Sequence, residues 1–260
     1  MKLFLLFCAG ILLTLNFLNI SIEKNPEYNH VEQYDASLLP INSLKKLTEY
    51  ADSAASEKQV KNGSVQYAIL VASIIRNRFY HGFSTCNFKK NWIAASSQFV
   101  VGKGLACPVD PDEILQYPFA GCSQQAIVLM ACMKRKNISY RSVGFPHHYA
   151  VELMLDGCWY FFDPDMEPKI NEKERLEQSW DKSADSLKKY YSLSLNHLDW
   201  GFGRSQPIKV GRINSDPAPN ASIFQSVTKY LSKTLWILPL MIVAYPKKKT
   251  VQKNSSLARD

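Results

Sequence analysis

The chain has 260 residues, 46% apolar and 12% aromatic, enough for one well-cored domain with appendages and too hydrophobic for global disorder. Its formal charge is +8, but Lys247, Lys248, Lys249, Lys253 and Arg259 crowd one C-terminal tail, and other basic residues alternate with acids, as in Glu172-Lys173-Glu174-Arg175. No basic stripe with interleaved stacking aromatics is present, which argues against a nucleic-acid partner.

Residues 1–22 carry Lys2 followed by an apolar run from Leu3 to Ile22, with apolar side chains on every face and no small-x-small cleavage site. That pattern is a signal anchor or signal peptide. Residues 23–42 are polar, contain two prolines and read as a linker. From Ser43, a suitable N-cap, Leu44, Leu47, Ala51, Ala54 and Ala55 fall at helical spacing, and a second helix is expected from Ser64 through Phe79. The stretch from Thr85 to Tyr117 is mixed, with Gly102, Gly104 and Pro108 marking loops.

A third helix is expected over Gln124–Lys136, then three strands: Ser139–Phe145, His148–Leu155 and Cys158–Asp163. Residues 172–192 read as a charged surface helix, and 201–228 as a linker rich in Gly, Pro and Ser. Residues 229–246 form a candidate transmembrane helix whose apolar core, Leu235–Tyr245, is short unless Lys229 and Lys233 snorkel. Trp236 and Tyr245 suit interfacial anchoring, and the basic tail 247–260 follows. With Lys2 and the lysine run both on the inside, the domain 43–200 lies outside the cytoplasm, on the periplasmic or extracellular side of a membrane. A hydrophobic helix packed on the domain or lying on the membrane is the alternative for 229–246. The sequons at Asn62 and Asn137 do not establish a glycosylated context.

The six cysteines (Cys8, Cys86, Cys107, Cys122, Cys132 and Cys158) form no CxxC pair and no zinc-ribbon spacing, which disfavours a redox protein. Cys8 sits in the N-terminal run, leaving an odd five; in an exported domain one thiol stays unpaired, and Cys122 is the candidate. Cys122 follows Ala120-Gly121 and opens a helix, where unpaired N–H groups and the helix dipole favour thiolate. Taken alone, it reads equally as a buried cysteine at a helix start.

The pair Asp156-Gly157 between two apolar runs signals a two-residue type I′ hairpin. That turn sets Leu155 opposite Cys158 and Met154 opposite Trp159, so His148, Ala150, Glu152 and Met154 share a face with Trp159, Phe161 and Asp163. His148 and Asp163 become diagonal neighbours, roughly 7–8 Å apart at the backbone. His147 points the other way, toward an apolar layer. Asp165 would lie opposite His148 and competes with Asp163 as the orienting acid, although Pro164 lacks an N–H and should end the ladder first. The adjacent His147 and His148, on opposite faces, make poor metal ligands, and no metal or cofactor is expected.

Gly121-Cys122, the helix, Arg141 within Ile138–Val143, His148-Tyr-Ala-Val-Glu152 and Asp156-Gly157-Cys-Trp159-Tyr-Phe-Phe-Asp163-Pro164 together resemble the transglutaminase-like superfamily. The resemblance covers about Pro118 to Pro164. It implies an α+β, papain-like core with N-terminal helices as the other lobe and an antiparallel sheet. It also implies Cys122 as nucleophile, His148 as base, Asp163 as orienting acid and a framework role for Arg141. Cys122 joins the His–Asp pair only through this resemblance. Gln98 and Trp92 are oxyanion-donor candidates by residue type alone. No acidic cluster suggests calcium. The expected activity is thiol-dependent acyl transfer or hydrolysis on a peptide, protein or cell-envelope amide. The alternative is a non-catalytic, membrane-anchored binding or assembly module on the same fold.

Overall fold

The computed structural model describes residues 1–21, 26–28, 33–166, 170–177, 183–204 and 208–245. The chain is mixed α+β. Its centre is a four-stranded antiparallel sheet in the order β5-β4-β3-β6, built from β3 (Tyr140–Gly144), β4 (Tyr149–Leu155), β5 (Cys158–Phe162) and β6 (Lys209–Val210).

The hairpin register is the one expected: Leu155 faces Cys158, Met154 faces Trp159 and Glu152 faces Phe161. Asp156 and Gly157 both have positive φ, 47° and 78°, the backbone that a type I′ turn demands. One face of the sheet offers Val151, Leu153, Leu155 and Phe162 to helices α2 (Leu44–Glu57), α3 (Val65–Arg78) and α6 (Cys122–Arg135). The opposite face offers Val143, Ala150 and Phe161 to Leu187, Tyr191, Leu198 and Phe202 from the C-terminal side of the domain. Two cores therefore sandwich the sheet, and the His148 face belongs to the second.

Local chemistry sets the boundaries of the helices around the site. Ser43 Oγ accepts from Lys46 N–H and Ser64 Oγ from Tyr67 N–H, capping α2 and α3. Two residues beyond the end of α6, Asn137 has a left-handed φ of 57°, and Ile138 N–H returns to Met133 O before β3 begins. Tyr80–His81 (β1) pairs in parallel with Phe119–Ala120 (β2), and this short ladder delivers the chain to Gly121 and Cys122.

Several expectations are corrected. The mixed stretch 85–117 contains a helix, α4 (Phe88–Val101), kinked at Asn91, whose Oδ1 caps the second half through Ala94 N–H. Pro111–Ile114 forms the one-turn helix α5. The charged helix over 172–192 is not continuous: a 3-10 turn at Lys173–Arg175 is followed by the short α7 (Ala184–Lys188). Residues 178–182 of that stretch lie outside the described residues. The expected linker 201–228 holds the end of α8 (Leu195–Phe202), strand β6 and the first half of α9 (Pro219–Thr234).

The candidate transmembrane helix over 229–246 is broken. Helix α9 ends at Thr234, α10 runs Ile237–Ala244, and the two are bent by 48°. Pro239 is the physical cause: it has no N–H for Leu235 O, and it sits in the first turn of α10, where that N–H is not needed. Among the described residues no single helix is long and apolar enough to cross a membrane; the bent pair meets the length and composition only together. The N-terminal helix α1 (Lys2–Leu15) is shorter than a span and packs against α10. Helices α1 and α10 leave Phe4, Phe7, Leu238 and Met241 exposed.

Candidate active site

The structure brings Cys122, His148 and Asp163 together. Cys122 is the first residue of α6, after Gly121, and Gln124 Oε1 folds back to accept from Gly121 N–H. Gly121 lets the Phe83 ring approach closely: a Cβ there would come 2.5 Å from that ring and displace it. His148 lies just before β4 and Asp163 just after β5. His148 Nε2 and Asp163 Oδ2 are 2.7 Å apart. One ligand-type atom of Cys122 and one ring nitrogen of His148 lie within 4.8 Å of each other, and the Cys122 side chain is a hydrogen-bond partner of the imidazole. Since Nε2 is committed to Asp163, Nδ1 is the nitrogen left for the thiol.

Asp163 rather than Asp165 is the partner of His148. Its Oδ1 accepts from the backbone N–H groups of Asp165 and Met166, closing the turn at Pro164. Its Oδ2 also accepts from Tyr191 Oη at 2.8 Å. Asp165 instead accepts from Gln125 Nε2 at 2.7 Å and meets His81 Nδ1 at 3.1 Å. It nevertheless remains within 4.8 Å of both Cys122 and His148.

Burial and charge pull the pair in opposite directions. Burial works to lower the His148 pKa, but the Asp163 carboxylate, by charge and hydrogen bond, and Cys122 raise it well above 6.5. Burial works to raise the Asp163 pKa, but His148, the Met166 N–H and Tyr191 hold it below 3.8. The imidazolium and carboxylate are thus both favoured. Cys86 and Cys132, by contrast, are pushed up to about 12, chiefly by burial, and are poor nucleophiles. All six cysteines are free thiols.

The site is closed rather than solvent-open: Cys122 is 6% and His148 5% exposed. The Phe202 ring lies 5.1 Å and the Phe145 ring 6.1 Å from the His148 ring. His147 is not in the apolar layer expected for it. Strand β4 begins only at Tyr149, so His147 precedes the alternation; it is exposed and stacks on Trp200 at 4.7 Å.

Arg141 stands directly opposite Glu152, and its Nε donates to the buried Glu152 carboxylate at 2.6 Å while its guanidinium lies 4.2 Å from the Trp159 ring centroid. Trp92 and Gln98 do not serve the site. Trp92 Nε1 donates to Ser232 O on α9, and Gln98 Nε2 to Ala95 O within α4. Sequence reasoning missed Tyr191, which lies outside the hairpin and carries no local signal. It also missed Arg78, which is buried and donates to Ile41 O, Leu39 O, Leu115 O and Tyr117 O, fixing the segment that leads into β2.

Compared with protein-family models, curated proteins and solved structures, the chain has no significant match in any of the three.

Proposed function

We propose that this chain is a membrane-tethered, transglutaminase-like cysteine enzyme with a papain-like core, which performs acyl transfer or hydrolysis on a peptide, protein or cell-envelope amide. One observation carries the reading: a thiol at a helix N-terminus shares an imidazole with a buried, fully hydrogen-bonded carboxylate. In this reading Cys122 attacks the carbonyl, His148 passes a proton to the leaving amine, and a thioester to Cys122 remains. Asp163 holds the imidazole with Nδ1 toward sulfur and stabilises its charged form. Water then gives hydrolysis, and an amine gives cross-linking. The Cys122 backbone N–H, in the first turn of α6, is available to the developing oxyanion.

The membrane tether and the placement of the domain outside the cytoplasm rest on Lys2, the lysine run 247–249 and the apolar surfaces of α1 and α10. Iodoacetamide labelling tests the enzyme reading. Alkylation should map to Cys122, fall sharply in His148→Ala, and abolish turnover of an amide substrate. Labelling of Cys122 that is indifferent to His148 would sink it. A second reading, a binding module on the same fold, is favoured by the low exposure of Cys122 and His148; it predicts no labelling at Cys122 without denaturant.

A further inference from the structure

Asp165 has no part in the acyl-transfer scheme, yet its buried carboxylate faces the reacting groups. One ligand atom each from Cys122, His148 and Asp165 lies within 4.8 Å of the other two. The three come from separate elements: the start of α6, the residue before β4, and the turn after β5. We propose that Cys122 Sγ, His148 Nδ1 and the Asp165 carboxylate form a binding site for a thiophilic divalent transition ion of the zinc class, which blocks the thiol while bound. The inference does not depend on the enzyme reading, because the same ligands would take the ion in a chain that turns over no substrate.

Thiolate, imidazole and carboxylate suit zinc-class ions and do not suit magnesium or calcium, which take oxygen ligands. Metal–ligand bonds of about 2.0–2.3 Å place ligand atoms roughly 3.3–3.8 Å apart in a tetrahedron, so the ion need draw these groups in by no more than about 1–1.5 Å. Two of the three ligands already have an outer partner to orient them. Asp163 holds His148 Nε2 at 2.7 Å, the carboxylate–histidine arrangement common behind metal-bound imidazoles. Gln125 and His81 hold Asp165. Gln125 supplies the second observation: it is 1% exposed, and its Oε1 is buried without a hydrogen-bond partner among the described residues. Gln125 Nε2 donates to Asp165, so its unpaired Oε1 is a buried acceptor beside the three ligands.

The thiolate and the Asp165 carboxylate offset the 2+ ion, while Asp163 stays hydrogen-bonded to the Nε2–H of a neutral His148. Binding forms S–metal, N–metal and O–metal bonds and changes no oxidation state. It releases one proton to the buffer, from the thiol or from the imidazolium that has accepted it.

Cobalt(II) titration of the full metal-free chain, kept reduced, tests the site without reference to turnover. The expected result is one ion per chain, with a thiolate-to-cobalt charge-transfer band and visible bands of tetrahedral cobalt. Zinc should displace the cobalt and protect Cys122 from iodoacetamide. Cys122→Ser should abolish the charge-transfer band, Cys158→Ser should leave it intact, and Asp165→Asn should weaken binding about tenfold or more. A band that survives Cys122→Ser, no stoichiometric band at all, or unchanged affinity in a folded Asp165→Asn protein would each overturn the proposal. If Asp165→Asn fails to fold, His148→Gln decides: loss of binding supports the site and retention overturns it. Failure here leaves the labelling behaviour of Cys122 unaffected, so the two readings fail separately.

Discussion

At His148 the balance between desolvation and a neighbouring carboxylate can be measured directly. Imidazole resonances of His148 should titrate well above 6.5, and Asp163→Asn should bring the midpoint down, because desolvation then acts with little to oppose it. Under the proposed acyl-transfer function, turnover in Asp163→Asn should fall by about two to four orders of magnitude, since the ring loses both its orientation and its counter-charge. Stability carries the same signature on two limbs. His148, raised, contributes stability that is complete below about pH 6.5 and is lost as pH rises through its folded value. Asp163, lowered, contributes above about pH 4 and is lost as pH falls through its folded value. Urea midpoints measured across pH should therefore decline on both sides, and Asp163→Asn should flatten both limbs. Tyr191→Phe removes a hydrogen bond to a charged acceptor, worth about 1.5–3 kcal/mol, and should lower both the denaturation midpoint and turnover by less than Asp163→Asn does. An unchanged rate in Tyr191→Phe would assign that hydroxyl to packing alone.

At the scale of elements, two arginines hold the frame that positions the site. Arg141 bridges β3 to β4 through Glu152, with the carboxylate fully buried. Arg141→Met should cost about 3–5 kcal/mol in urea unfolding, because it strands a buried carboxylate. A double Arg141→Met/Glu152→Leu variant should recover part of that loss. Arg78 works differently: it donates to four backbone carbonyls, tying the 39–41 loop to the approach to β2. Arg78→Met would leave several of these acceptors unpaired at about 1–3 kcal/mol each, so a loss above about 3 kcal/mol is expected in the same measurement. The hairpin was legible in the sequence because Asp156-Gly157 dictates a turn and the turn dictates the register. Helix α4 was not, because its kink at Asn91 is stabilised by Gln225 O and Thr228 Oγ1, more than 130 residues away.

For the whole molecule, the first and last described helices meet: α1 packs on α10, and both present apolar side chains outward. If that surface lies in a bilayer, the full chain should float with phospholipid vesicles in a density gradient. Leu238→Lys/Met241→Lys, which places two charges on α10, should leave it in the soluble fraction, since each lysine costs up to about 2.5–3.5 kcal/mol in an apolar membrane setting. Flotation unaffected by the two lysines would assign the contact to another surface.

The sequence by itself determined the parts whose cause is local. These are the capped helices α2 and α3, the type I′ hairpin, and the shared face that joins His148 to Asp163. Proline and glycine chemistry and strand alternation act over a few residues and need no tertiary partner. Only the tertiary structure decided what depends on separate elements meeting. It set the approach of Cys122 to His148, the choice of Asp163 over Asp165, the capture of Tyr191, and the pairing of Asp165 with His81 and Gln125. These contacts satisfy buried polar groups across the two cores, and such pairings follow from packing, which no single segment of the chain encodes.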